Sequence, residues 1–104
     1  MNAKTMQLNR TAVSGTMESS DIMVTLSPSE GEGIEVELNS PVEKQFGRKM
    51  REVIRKTLEE LEITNAKVTA VDSGALDCVI RARVKTAAYR ASGESEYMWE
   101  GVQK

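Results

Sequence analysis

Gly15-Thr16-Met17-Glu18-Ser19-Ser20-Asp21 crowds hydroxyl groups and carboxylates into one short polar segment near the N-terminus. A serine there is a potential nucleophile, but serine needs a base to become one, and the chain contains no histidine. The segment is therefore read as an acceptor, a hydroxyl that another enzyme modifies with its own base. An acceptor needs a backbone that can enter a foreign active site, which Gly15, Ser19 and Ser20 permit. The competing reading is a flexible leader whose serines are merely solvated. Composition alone leaves these two open.

Other reactive residues fare worse. Cys78 is the only thiol. Arg81 and Arg83 lie near it in sequence, but alternation with Leu76 and Ile80 predicts a buried structural cysteine. Asp72 opens a turn, and Asp77 falls on the face opposite the apolar residues, so they do not form a catalytic carboxylate pair. With no histidine, one cysteine and scattered carboxylates, no metal-ligand spacing is present. Gly31-Glu32-Gly33 interleaves acid with glycine, which suits a turn and repels phosphate.

Alternation positions these groups. Ile22, Val24 and Leu26 predict one strand and Ile34, Val36 and Leu38 a second, joined as a hairpin through Ser27-Pro28-Ser29-Glu30-Gly31-Glu32-Gly33. Ser40-Pro41-Val42-Glu43 has the form of a capping box. It leads a helix whose apolar stripe runs Val42, Phe46, Met50, Val53, Ile54, Thr57, Leu58 and Leu61. The other face carries Arg48, Lys49, Arg51, Glu52, Arg55, Lys56, Glu59 and Glu60 and reads as a solvated surface. Ala66, Val68 and Ala70 predict a third strand, Asp72-Ser73-Gly74 a turn, and Leu76, Cys78, Ile80 and Ala82 a fourth strand. A short helix follows from Arg83 to about Ala91, ended by Gly93.

The expected fold is α+β: a small antiparallel sheet of about four strands in β-β-α-β-β order, one long helix across a face, and a short C-terminal helix. A loose leader (about 1–10) and a C-terminal tail (about 94–104) flank this single domain.

The totals fit one ordinary small soluble domain. In 104 residues, 14 basic side chains face 16 acidic ones for a net charge of -2, so nothing favours a phosphate backbone. Phe46, Tyr89, Tyr97 and Trp99 are the whole aromatic complement, too few for a base-stacking sheet. No apolar run approaches the roughly 20 residues of a membrane span, and the N-terminus lacks a signal-peptide core. A single cysteine suits a reducing cytoplasm.

Three segments together resemble the citrate lyase acyl carrier proteins, the gamma subunits of that complex. They are Gly15-Thr16-Met17-Glu18-Ser19 with Asp21, Ser40-Pro41-Val42-Glu43-Lys44-Gln45-Phe46-Gly47, and Gly74-Ala75-Leu76-Asp77-Cys78-Val79-Ile80-Arg81-Ala82-Arg83. The resemblance implies a non-catalytic carrier. In that family the serine matching Ser19 bears phosphoribosyl-dephospho-coenzyme A through a phosphodiester, and the arm's thiol carries acetyl or citryl. It also implies as partners an alpha subunit (acyl transferase), a beta subunit (citryl lyase) and a prosthetic-group transferase, with no nucleic acid and no membrane. One departure stands out: Ser20 occupies the position where the family usually has glycine, placing a second hydroxyl beside the first. The related carrier of malonate decarboxylase is the alternative within this class. A protein-interaction module using the charged helix face is the alternative outside it.

Overall fold

The computed structural model describes residues 7–93 apart from Glu32. The tail expected at 94–104 and residues 1–6 of the expected leader lie outside the described residues. The chain runs β1 (Ala12–Ser14), β2 (Ile22–Ser27), β3 (Gly33–Asn39), α1 (Glu43–Glu60), β4 (Asn65–Asp72) and α2 (Asp77–Ser92). The fold is α+β, with a four-stranded sheet, a long helix and a shorter C-terminal helix, as the sequence pattern predicts. Its connectivity differs from that expectation.

The sheet order is β1-β2-β4-β3. β2 does not pair with β3, so the expected hairpin is absent. β4 lies between them, antiparallel to β2 and parallel to β3. The sheet is thus mixed and not purely antiparallel. A parallel pair needs a long crossover, and α1 provides it between β3 and β4. The Ser27–Gly33 connection spans the width of the intervening strand, about 10 Å from β2 to β3, which a few extended residues cover. β4 wins the central place because Ala66, Val68, Ala70 and Asp72 are all buried along one face.

The second correction concerns residues 76–82. The expected fourth strand is the first half of α2. Alternation of a short apolar run does not separate strand from helix, and the buried positions decide: Ile80, Val84, Ala87, Ala88 and Ala91 recur at helical spacing. Asp77 in the first turn and Arg90 in the last complement the helix dipole, and Gly93 ends the helix at φ 83°. The fourth strand is β1, where small Ala12 and Ser14 are buried and Val13 is exposed.

Both helices cover one face of the sheet. Ile22, Val24 and Leu26 of β2 and Ala66, Val68 and Ala70 of β4 meet Ile54 and Leu58 of α1 and Ile80 and Val84 of α2 in one core. The α1 stripe is buried from Met50 to Leu58, but its first turn overhangs the core, leaving Val42 38% and Phe46 50% exposed. The capping box does not form. The Ser40 hydroxyl accepts from the Val42 amide at 3.1 Å and donates to Asp72 at 2.8 Å, while the Glu43 carboxylate reaches Arg51 at 2.7 Å. Gly47 lies beneath that ion pair, and a Cβ there would stand 2.9 Å from the Glu43 Cγ. The helix ends in a Schellman arrangement, with Glu62 at φ 63° and the Ile63 amide donating to the Leu58 carbonyl at 3.0 Å.

Candidate functional site

The segment read from the sequence as an acceptor is the connection of the β1–β2 hairpin. β1 and β2 are antiparallel, with Ser14 opposite Val24, so the chain turns back through residues 15–21. Asp21 organises this turn from inside. The Thr16 amide (3.1 Å) and hydroxyl (2.6 Å) donate to its Oδ2, and the Ile22 amide (2.7 Å) donates to its Oδ1. From α2, Arg83 adds a two-pronged contact, Nε to Oδ1 at 2.9 Å and Nη2 to Oδ2 at 2.8 Å.

A second brace comes from the end of β4. The Ser20 amide donates to the Ser73 carbonyl at 2.7 Å and the Ser73 amide to the Asp21 carbonyl at 2.8 Å. Ser73 is held in its turn by Asp72, whose buried carboxylate accepts from the Gly74 amide at 3.1 Å and the Ala75 amide at 2.9 Å. The pliant leader expected around the serines is therefore a braced turn. Asn9 and Arg10 also hold on to the body, both amides donating to the Ala91 carbonyl.

Ser19 and Ser20 are the corner residues of the turn that the Asp21 amide closes onto the Glu18 carbonyl at 3.1 Å. Both are exposed, and among the described residues neither hydroxyl has a hydrogen-bond partner. Their backbones differ. Ser20 is tied to Ser73 and has φ 66°, the left-handed region that glycine enters freely. This geometry explains the glycine that the resembling family carries at that position. Ser20→Gly is expected to raise stability by about 0.5–1 kcal/mol, the relief of the left-handed corner exceeding glycine's added freedom in the unfolded chain. A rise in the thermal midpoint of roughly 2–8 °C checks it.

Asp21 gives the turn a pH dependence. The Arg83 side chain first, then the Thr16 hydroxyl, hold its carboxyl far below the usual carboxylate range. The Ile22 amide adds to this, while burial acts against it. A depressed folded value means that the unfolded chain takes up the proton first. The stabilisation is thus complete above about pH 5 and is lost as pH falls through about 4 and below. Asp21→Asn is expected to be less stable than the parent at pH 7, with the gap narrowing at pH 3. Urea midpoints at the two pH values measure it, and a gap that stays constant would contradict this origin.

The remaining candidates are not brought to the turn. Cys78 is exposed in the first turn of α2, not buried in a strand as expected. Helical spacing moves Ile80 to the core face and leaves the thiol outside. Asp77 pairs loosely with Lys49 at 3.8 Å, and Asp72 acts as a brace, so the two form no catalytic pair. Among the described residues no group of three or more His, Cys, Asp or Glu side chains could hold a metal ion. No described helix is long and apolar enough to cross a membrane. Arg83 and Ser73 were not legible as site residues, because their partners lie far away in sequence.

Beside the turn opens an apolar cleft of about 530 Å³, walled by Val42, Phe46 and Met50 of α1 and its lead-in and by Gly74, Ala75 and Leu76 before α2. Leu76 is 70% exposed. Lys49 and Asp77 stand at the same opening.

The chain has known relatives in sequence and in fold. The family model described as malonate decarboxylase delta subunit matches residues 9–91. The chain is 54% identical over 99 residues to the citrate lyase acyl carrier protein of Latilactobacillus sakei, covering 95% of this chain and 97% of that one. It is 53% identical over 97 residues to the citrate lyase acyl carrier protein of Streptococcus mutans, covering 93% and 95%. In fold it resembles a chain of a Pseudomonas malonate decarboxylase hetero-tetramer, with a TM-score of 0.64 at 20% identity over 86% of this chain and 92% of that one.

Proposed function

The chain belongs to the family of citrate lyase acyl carrier proteins, and on that premise we propose that it is the non-catalytic gamma subunit of a cytoplasmic citrate-cleaving complex, with Ser19 Oγ as the attachment point of phosphoribosyl-dephospho-coenzyme A. The observation that carries this reading is an exposed hydroxyl at the corner of a braced turn, with no hydrogen bond to lose among the described residues. Esterification there leaves every contact of Asp21 and Ser73 intact. When bound, the group supplies a thiol at the end of a long arm, where acetyl or citryl is carried as a thioester.

The chain's own residues fix where the arm begins. Arg83 and Thr16 hold Asp21, Asp21 and Ser73 hold the turn, and the turn projects Ser19. A rigid origin matters because tethering makes each transfer nearly intramolecular, with effective concentrations of order millimolar when the reach matches the span. The alpha subunit as acyl transferase, the beta subunit as citryl lyase and the prosthetic-group transferase are the partners this reading requires. Identities above 50% to two citrate lyase carriers favour citrate over malonate. The carrier of malonate decarboxylase stays as the second reading because the matching family model bears that description.

Intact-mass analysis of the chain purified from its host during growth on citrate tests the proposal. The expected result is one phosphoribosyl-dephospho-coenzyme A adduct, mapped by fragmentation to Ser19. An unmodified chain in cells that are splitting citrate overturns it.

A further inference from the structure

The apolar cleft and the acceptor turn are neighbours. Gly74 lines the cleft and backs onto the turn, so that even an added Cβ would lie only 4.0 Å from the Ser20 Cα. Phe46 and Leu76, half and more than half exposed, present their apolar surface at its mouth. Leaving that much apolar area in water is unfavourable, and the core has no use for it. The cleft's position calls for an occupant that arrives with the turn.

We propose, resting on the attachment at Ser19, that this cleft clasps the purine base of the serine-borne nucleotide arm, with the base stacked on the Phe46 ring and cushioned by Leu76 and Val42. The parts of the arm differ in how they suit the cleft. Its phosphates are disfavoured, because Asp72 and Asp77 are among the residues that line the cleft and Lys49 is the one cation among them. The pantetheine chain is flexible and would surrender many torsions on binding. The base is flat, rigid and uncharged, and stacks on an aromatic ring without needing a matched set of hydrogen bonds. A base held beside the turn pins the near end of the arm and leaves the thiol end free to reach partner sites. It also narrows the volume that the thiol sweeps, which raises its effective concentration at those sites.

The test uses the full chain in its modified form, with mass analysis first reporting the adduct. Proton NMR then reads the base directly. In the folded modified chain the C2 and C8 protons of the base are expected upfield of their positions in the same sample unfolded in urea, with cross-peaks to the Phe46 ring. Phe46→Leu keeps apolar bulk and removes the ring. It should lower the clasped population roughly tenfold, abolish the upfield shift, and leave the thermal midpoint and the adduct mass unchanged. Base protons that resonate alike in folded and unfolded samples, or an upfield shift that survives Phe46→Leu, overturn the clasp. So do cross-peaks to Phe46 from pantetheine methyl groups without any from the base, or from a partner subunit's side chain in the assembled complex. A chain with no adduct instead overturns the attachment on which the clasp rests.

Discussion

Ser19→Ala is expected to leave the chain entirely without its prosthetic group, with the adduct mass falling to background and acyl transfer falling with it. In the proposed attachment Ser19 Oγ gives up its proton and displaces a leaving group from the donor's phosphorus, and alanine has no atom to make that bond. Other hydroxyls do not stand in. The Thr16 hydroxyl is held by Asp21 at 2.6 Å, and Ser20, though exposed, is fastened through its backbone to Ser73. The substitution should be silent for the fold, within about 0.5 kcal/mol, because the side chain is exposed and no described residue bonds to it. The neighbour is best tested with Ser20→Gly, which deletes the second hydroxyl while accepting φ 66°. Alanine there would remove the hydroxyl but keep the left-handed strain, confusing attachment with turn geometry. The expected pattern is no adduct with Ser19→Ala and a full adduct with Ser20→Gly, read by intact mass after incubation with the transferase. The opposite pattern would move the attachment to Ser20.

Elements whose pattern is long, and whose partners are local, were legible in the sequence. The α1 stripe from Met50 to Leu58, the alternation of β2, β3 and β4 and the Gly93 stop all appear where periodicity places them, and residues 15–21 stood out as a polar segment with small residues but not as a braced turn. Pairing was not legible. Whether β3 lies beside β2 or β4 depends on the crossover through α1 and on the small residues of β4, a choice made by packing of the whole sheet. Residues 76–82 satisfied two periods at once, and only the continuation through Val84, Ala87 and Ala91 settles them as helix. β1 was invisible because its buried residues are Ala12 and Ser14 and its exposed one is Val13, the reverse of the usual polarity. The braces of the site were invisible for a related reason: Arg83 meets Asp21 across 62 residues, and no local rule connects them.

Among the described glycines, Gly15 is the one where an added Cβ meets the closest clash. Gly15 has φ 96°, and a Cβ built on it would collide with the Ile22 backbone carbonyl and crowd the Arg83 Cδ at 3.2 Å. The carbonyl belongs to the first residue of β2 and cannot rotate away, and Arg83 cannot retreat without losing Asp21. Gly33 provides an internal control. It shares φ 96° but has no atom within 4 Å of an added Cβ. Gly33→Ala therefore reports the backbone conformation alone, about 1 kcal/mol. Gly15→Ala carries that term plus the opening of the hairpin and the loss of the Arg83 fork, about 3 kcal/mol or more. The thermal midpoint should fall by roughly 12–24 °C, against roughly 4–8 °C for Gly33→Ala. Equal losses in the two variants would mean that the turn yields easily and is not braced as described. A large loss confined to Gly15→Ala, together with slower loading of Ser19 at temperatures where the variant is still folded, would tie the rigidity of the turn to its proposed use as the arm's origin.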